Sequence, residues 1–227
     1  MSNIVNLKDY KKKRNRKQNH YSFDRNPCSI VASFAILFVV ILNILERYVS
    51  TPVTYSLIAI NGVIFGLISC NKVNWYPLST SYENTIGNRE YYRLVSSAFT
   101  HQEAWHILMN MYSLYNLGNV LEPFLGRNLF LATYLVIMLV GGYFSCRVHK
   151  RLQPYANSIG ASGVLCGLMG MYLVFAFRIW GIAGIRSCAS SLIILVLMLF
   201  SKRIDNIGHF TGLLTGIAWG CILIMVS

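Results

Sequence analysis

The chain has 227 residues, of which 55% are hydrophobic and 12% are charged. A soluble domain carries about a quarter charged residues, so this composition excludes an ordinary soluble domain. It indicates instead a protein that crosses a membrane several times, because a surface that faces lipid need not be polar.

Residues 1–27 form a basic tail and contribute much of the net charge of +12. Eight basic residues stand there against Asp9 and Asp24, namely Lys8, Lys11, Lys12, Lys13, Arg14, Arg16, Lys17 and Arg25. We interpret residues 1–27 as a disordered cytoplasmic tail that sets the membrane orientation. Nucleic-acid binding is the weaker interpretation, since no interleaved aromatics or folded module accompany the charge. No cleavable signal peptide is predicted, because the apolar run comes late and lacks a small-residue cleavage site.

Seven apolar segments follow the tail, and a membrane-spanning helix needs roughly 20 mostly apolar residues. They run over residues 28–45, 53–70, 104–121, 128–146, 158–178, 185–200 and 206–226. The last six predict an all-α membrane protein with a six-helix core over residues 51–227. The loop 71–103 is too polar to span, and its aromatic residues suit a membrane interface. The extra hydrophobic segment, residues 28–50, is either an additional span or a helix that lies in the interface.

The six cysteines fall within or beside these apolar segments, without CxxC spacing. They are Cys28, Cys70, Cys146, Cys166, Cys188 and Cys221. This pattern indicates small buried apolar side chains rather than a disulfide framework or a metal site.

Polar side chains inside the apolar segments are candidates for function, since burying them in a membrane is costly. His106 and Asn110 are four residues apart, so a helix places them on one face, and His101 precedes them at the edge of the loop. Ser162 lies near the start of segment 158–178, and His209 near the start of segment 206–226. Hydrogen bonding between helices is the usual role of such residues. Alternate spans run parallel, however, so these residues should share one depth near one membrane face, which favours a single site.

Glycines recur at every fourth position in the last segment and in the residues that follow Ser162 along the chain. They are Gly208, Gly212, Gly216 and Gly220 in the first set, and Gly163 and Gly167 in the second. Small residues at this spacing let two membrane helices approach closely. The spacing therefore predicts that segments 158–178 and 206–226 pack together and bring His209 to Ser162.

Ser162 and His209 together suit nucleophilic catalysis, because a serine hydroxyl needs a base and histidine is the usual one near neutral pH. An Asn amide, a His N–H and a backbone N–H at a helix start can stabilise an oxyanion. Asp205 is a possible acidic third member, but we expect it in a solvated loop with Lys202 and Arg203. The segment lacks the GxSxG pattern of soluble hydrolases, since Val164 follows Gly163.

The ordered motifs resemble those of the rhomboid family of intramembrane serine proteases. The match consists of "HQEAWHILMN" (HxxxxHxxxN), "GASG" (GxSG) and "GHFTGLLTG" (GHxxGxxxG), on three alternate spans. The stretch "YYRLVSSAFTH" is similar to the aromatic and arginine region that precedes the second span of the core in that family. The resemblance covers about residues 51–227 and implies a six-helix rhomboid-like bundle.

The resemblance implies a Ser–His dyad that cleaves transmembrane protein substrates. Ser162 would attack the scissile carbonyl, and His209 would act first as base and then as acid. His106, Asn110 and the Ser162 backbone N–H would bind the oxyanion, while His101 would have a structural hydrogen-bonding role. The motif glycines would be structural near the site: Gly160, Gly163, Gly208 and Gly212.

The family resemblance also implies how substrate and water reach the site. Substrate helices would enter laterally between the second and fifth spans of the core, and water would arrive from the non-cytoplasmic side. No metal or cofactor is implied, and the partners are membrane-protein substrates and the lipid bilayer rather than nucleic acid. One residue departs from the family pattern: Cys166 stands where an aromatic ring often stacks on the catalytic imidazole. That departure predicts a roomier pocket or a lower activity.

Two other functions remain as alternatives. An inactive rhomboid-like protein would bind membrane clients, but such relatives typically lack the serine or the histidine. A small transporter would be expected to show inverted repeats with broken helices, which this sequence lacks.

Orientation is the open question, and we expect a multi-pass protein of a bacterial plasma membrane. The basic tail predicts a cytoplasmic amino terminus. If segment 28–45 also spans, the catalytic level faces the cytoplasm, against the family pattern. We therefore favour an interfacial position for segment 28–45.

Overall fold

The computed structural model describes residues 27–187 and 205–226. The predicted tail 1–27, except for Pro27, and most of the predicted span 185–200 therefore lie outside the described residues. Within the described ranges the regular structure is helical, apart from one isolated antiparallel bridge between Thr80 and Ser158. The prediction of an all-α membrane bundle is confirmed.

The described residues form eight α-helices, which we number in chain order. They are α1 Pro27–Leu45, α2 Pro52–Ser69, α3 Arg93–Ser96, α4 Ala104–Leu125, α5 Arg127–Leu152, α6 Ser162–Trp180, α7 Ile182–Ser187 and α8 Asn206–Val226. Helix α5 includes a π-helical stretch, Ile137–Gly141. Short 3₁₀ and π turns lie in the loop 71–103, at Tyr76–Leu78, Tyr82–Gly87 and Ser97–Phe99.

Four of the described helices, α2, α5, α6 and α8, are long and apolar enough to cross a membrane. Helix α4 is also long, with 22 residues, but it carries polar side chains that include His106, Asn110 and Glu122. The boundaries differ from the predicted ones by four residues or more at three places. Helix α4 continues to Leu125 rather than ending at residue 121. Helix α5 continues to Leu152 rather than ending at residue 146, and its last turns bury His149. Helix α6 begins at Ser162 rather than at residue 158, because the backbone of Ser158 pairs with Thr80 instead.

Helices α6 and α8 run parallel and lie in backbone contact. A Cβ atom on Gly212 would overlap the carbonyl oxygen of Gly163, and one on Gly216 would overlap that of Gly167. Only glycine fits where two helix backbones approach so closely. The contact fixes the first turns of α6 and α8 beside each other.

Glu122 joins the end of α4 to the start of α2 from a buried position. One carboxylate oxygen accepts the backbone N–H of Val53 at 3.0 Å. The other accepts the backbone N–H and the hydroxyl of Thr54, at 2.8 and 2.7 Å. The first N–H groups of a helix have no partner within the helix, so Glu122 supplies the acceptors that α2 lacks.

Replacement of Glu122 by Ala should destabilise the bundle, because it leaves three buried donors without an acceptor. We expect the free energy of unfolding to fall by about 2–4 kcal/mol. Unfolding in detergent, compared between Glu122→Ala and the parent, measures this loss. Glu103→Ala is the matched control, since Glu103 is exposed and its side chain makes no capping bond to α4. Equal losses in the two variants would contradict this role of Glu122.

Candidate active site

Ser162 and His209 meet at the starts of α6 and α8. The Ser162 Oγ lies 2.6 Å from the Nε2 of His209, within hydrogen-bond distance. Both residues are buried, with 8% and 2% of their surface exposed. When His209 carries its proton on Nδ1, Nε2 accepts the hydroxyl proton, as a base for serine must. The arrangement provides a buried serine with a base already in contact.

The second ring nitrogen of His209, Nδ1, is buried without a hydrogen-bond partner among the described residues. In a triad a carboxylate would occupy that position. The described site is therefore a pair of residues rather than a triad.

Asp205 is not a solvated loop residue as expected from the sequence, because its carboxylate is largely enclosed by three donors. Oδ1 accepts from His149 Nε2 and from the Gly208 backbone N–H, each at 2.9 Å, and Oδ2 accepts from Ser158 Oγ at 2.5 Å. Burial raises the pKa of Asp205, but these hydrogen bonds and the nearby His149 outweigh it and hold the pKa at about 2. Asp205 thus ties the loop that leads to Ser162 to the first turn of α8.

Replacing Asp205 with Asn should disturb the contact between Ser162 and His209. An amide has one acceptor oxygen and a donor nitrogen, so it cannot accept from three donors on two atoms. For a reaction that depends on the Ser162–His209 contact we expect kcat to fall about tenfold with KM little changed. The measurement is steady-state turnover, with Asn206→Ala as control because Asn206 is exposed next to Asp205. A fall confined to KM, or an equal fall in the control, would contradict a positioning role.

The same variant should alter the dependence of stability on pH. The Asp205 pKa is lowered on folding from 3.8 to about 2, so the stability it contributes is present above 3.8 and lost as pH falls through about 2. The difference in unfolding free energy between the parent and Asp205→Asn should become smaller as the pH is lowered from 3.8 to about 2. A constant difference would show that the charge of Asp205 is not responsible.

His101 and Asn110 form a second buried contact beside the pair. The Asn110 amide donates to His101 Nε2 at 2.9 Å, and the Ala161 backbone N–H donates to the same nitrogen at 3.4 Å. Burial, followed by the neighbouring His106, lowers the pKa of His101 to about 3. His101 is therefore a neutral acceptor that holds both the Asn110 amide and the residue before Ser162.

His106 and Asn110 lie against Gly160, two residues before Ser162. A Cβ atom on Gly160 would come within 2.7 Å of His106 Cε1 and within 3.4 Å of Asn110 Nδ2. Gly160 has φ of +107°, a conformation that other residues rarely adopt. The structure thus brings together His101, His106, Asn110, Gly160, Ser162 and His209.

A cavity of about 70 Å³ adjoins Ser162 and His209 on the side of α5. Ser162, His209 and the hydroxyl-bearing residues Ser97, Ser145 and Ser158 contribute to its lining. A buried water needs roughly 10–15 Å³ of such space and two to four polar partners. The cavity therefore has room for water next to the serine.

Cys166 occupies a buried position in α6, one turn after Ser162, with 3% of its surface exposed. It belongs to the apolar core. The position that often holds an aromatic residue in the rhomboid pattern is thus filled here by a much smaller side chain.

Sequence reasoning missed the contacts of Asp205 with His149 and Ser158. One local signal was available, since an Asp three residues before Gly208 has the spacing of a helix N-cap. His149 lies 56 residues away along the chain, and nothing local to either residue predicts that they meet.

Known proteins resemble this chain over most of its membrane-spanning part. A family model described as the Rhomboid domain matches residues 88–226. The "Putative rhomboid protease YdcA" of Bacillus subtilis (strain 168) is 30% identical over 172 residues, which are 73% of this chain and 85% of that protein. "Rhomboid protein 1, mitochondrial" of Saccharomyces cerevisiae is 33% identical over 151 residues, 60% of this chain and 42% of that protein.

"Rhomboid-like protease 3" of Toxoplasma gondii is 27% identical over 180 residues, 72% of this chain and 66% of that protein. This chain spans less than half the length of the yeast protein and of "RHOMBOID-like protein 5" from Arabidopsis thaliana, of which it covers 45%. The match to the family model, residues 88–226, includes the segments that carry Ser162 and His209.

Proposed function

The chain belongs to the rhomboid family, and we propose that it is a serine endopeptidase that cuts membrane proteins in or near their transmembrane segments. The observation that carries the proposal is the 2.6 Å contact between the Ser162 hydroxyl and His209 Nε2 in a buried site. Relatives named as rhomboid proteases support it. We also propose that the chain resides in a bacterial plasma membrane.

The first half of the reaction forms an acyl-enzyme. His209 Nε2 takes the proton of the Ser162 hydroxyl while the oxygen attacks the carbonyl carbon of the scissile peptide bond. The carbon–nitrogen bond then breaks, and the imidazolium of His209 gives its proton to the departing amine. Ser162 retains the amino-terminal part of the substrate as an ester.

The second half consumes water, for which the cavity of about 70 Å³ beside the pair has room. His209 takes a proton from water, the hydroxide oxygen attacks the ester carbon, and the proton returns to Ser162 Oγ as the ester breaks. The products are a carboxylic acid and the free serine.

Negative charge develops on the substrate carbonyl oxygen in both halves, and donors near Ser162 must stabilise it. We assign this role to the Asn110 amide, the His106 ring and the backbone N–H of Ser162. The amide of Asn110 has two N–H groups, and its contact with His101 uses one of them. The backbone N–H of Ser162 is the first of α6 and has no acceptor within that helix.

An inactive relative that only binds membrane clients is the alternative function. Such a protein has no need of a serine hydroxyl in contact with a histidine. Incubating the purified chain in liposomes with a model transmembrane substrate distinguishes the two functions. The protease yields two fragments at a rate proportional to enzyme concentration, whereas the client-binding protein retains the substrate uncut.

A further inference from the structure

The last two turns of α5 carry three exposed basic side chains, Arg147, Lys150 and Arg151. Residues three and four apart lie on one face of a helix, so the three charges form one surface, which we call the basic patch. Earlier in α5 the exposed side chains are apolar or aromatic and include Tyr143 and Phe144. The exposed surface of α5 therefore becomes basic only where the helix ends.

The basic patch lies on the same face of the bundle as Ser162 and His209. His149, within the same turns, donates from Nε2 to Asp205 Oδ1 at 2.9 Å, and this oxygen also accepts the backbone N–H of Gly208 at 2.9 Å. These contacts place the end of α5 within about 15 Å of His209 by standard bond lengths. An extended chain advances about 3.3 Å per residue. A substrate segment that leaves Ser162 in this direction reaches the patch in roughly five residues.

The positive surface continues from α5 onto the loop 71–103. The Nζ of Lys150 lies 5.6 Å from the centre of the Tyr82 ring in that loop. The backbone N–H of Glu83 donates to the carbonyl of Pro154 at 3.0 Å and so joins the loop to the residues that follow α5. Arg89 is exposed in the same loop and adds a positive charge.

Two carboxylates on this face are held away from the basic patch. Glu90 pairs with the buried Arg93, and Asp205 accepts from three donors. Among the residues that the structure describes, no ion pair includes a member of the patch. The patch therefore presents positive charge that can attract an acidic partner.

An acidic peptide fits this surface better than the other anionic or internal candidates. Residues 1–26 carry eight Lys or Arg residues against two Asp residues, so they do not complement the patch. A lipid headgroup beside α5 would meet the helix but would not cover the loop. A peptide that extends from Ser162 crosses both.

We propose that the basic patch binds an acidic segment of the substrate next to the scissile bond. The inference rests on the proposed protease function and names the substrate class: membrane proteins with several Asp or Glu residues outside the membrane, within about ten residues of the cut. The contact is the same before and during the reaction, so it lowers KM and leaves kcat unchanged.

Two model substrates that differ only in charge test the proposal. Both contain the same transmembrane segment, and one has four Glu residues where the other has four Gln residues, outside the membrane and within ten residues of the cut. In a neutral detergent at low salt, the KM of the Glu substrate should be about tenfold lower, because several exposed ion pairs each contribute modestly. Equal KM values overturn the proposal.

Salt provides a measurement on the unaltered chain. The Debye length falls from about 10 Å at 0.1 M to about 3 Å at 1 M ionic strength. The difference in KM between the Glu and Gln substrates should therefore disappear in 1 M NaCl. A difference that persists at 1 M NaCl shows that charge on the patch is not its cause.

Replacing the three residues of the basic patch with Gln should raise the KM of the Glu substrate to that of the Gln substrate. The matched control is a triple variant that removes three exposed charges on the opposite face: Arg47→Gln, Arg178→Gln and Arg186→Gln. It should keep the tenfold preference. Replacing the patch residues with Glu should reverse the preference, so that a substrate with four Lys residues binds best. Equal losses in the two Gln variants overturn the proposal.

Binding to the Ser162→Ala chain separates this inference from the proposed function. Its affinity for the two substrates, measured by fluorescence in the same detergent, should also differ about tenfold. If the Glu substrate binds more tightly but the parent cuts neither substrate, the protease function is refuted and the patch stands. Equal affinities overturn the patch.

Liposomes with and without anionic lipid distinguish a peptide from a lipid partner. The parent should prefer the Glu substrate in both kinds of liposome. A loss in the patch variant that requires anionic lipid and is equal for both substrates would assign the patch to lipid headgroups and overturn the proposal.

Discussion

Replacing Ser162 or His209 with Ala should each reduce cleavage of a transmembrane substrate by on the order of 10³-fold or more. Ser162 supplies the attacking oxygen, and His209 Nε2, 2.6 Å away, is the base that takes its proton. Each variant removes one of the two side chains that this proton transfer requires. The measurement is the initial rate of fragment formation in liposomes at matched protein concentrations.

Two further variants make this expectation specific. Ser69→Ala removes an exposed hydroxyl at the end of α2 and should cleave at the parental rate. The double variant of Ser162 and His209 should be no slower than either single variant, because the two residues act as a unit. Additive losses in the double variant would indicate that the two side chains contribute separately.

Gly212→Ala should also slow the reaction strongly, although Gly212 touches no reacting atom. A methyl group at this position overlaps the backbone carbonyl oxygen of Gly163, which cannot rotate away as a side chain can. The variant must therefore separate α8 from α6 and lengthen the contact between Ser162 and His209. A displacement of about 1 Å at a catalytic pair costs roughly 100-fold in rate, and we expect a fall in kcat of that order.

Two other glycines provide graded controls for Gly212→Ala. Gly66 in α2 has no atom within 4 Å of an added Cβ, so Gly66→Ala should leave the rate unchanged. Gly220 lies deeper in α8, and an added Cβ there would approach Met171 Cγ at 3.2 Å. Gly220→Ala should therefore have an intermediate effect. If the order of the cleavage rates does not follow these contacts, the packing of α6 against α8 is not the cause of the loss in Gly212→Ala.

The sequence predicted the helical bundle and the residues that meet in the candidate site because these depend on local patterns. Apolar runs of span length, separated by polar connections, indicate membrane helices without knowledge of their partners. Parallel alternate spans place His106, Ser162 and His209 at one depth. The recurrence of glycine at every fourth residue, Gly208, Gly212 and Gly216, then indicates which helix approaches Ser162.

The position of Asp205 could not be predicted in this way. Its sequence neighbours Lys202 and Arg203 are charged, which indicates a solvated loop. Its burial depends on donors from distant parts of the chain, namely His149 and Ser158. Hydrogen-bonding partners separated by 47 and 56 residues leave no periodic signal in either segment.

Covalent labelling by a fluorophosphonate tests the central claim most directly, because this reagent reacts with a serine hydroxyl that a neighbouring base has activated. Mass spectrometry of the labelled protein should identify one modified residue, Ser162. The modification should be lost in His209→Ala and retained in Ser69→Ala. Equal modification of Ser162 with and without His209, or modification of another serine instead, would contradict the assignment of Ser162 and His209 as the reacting pair.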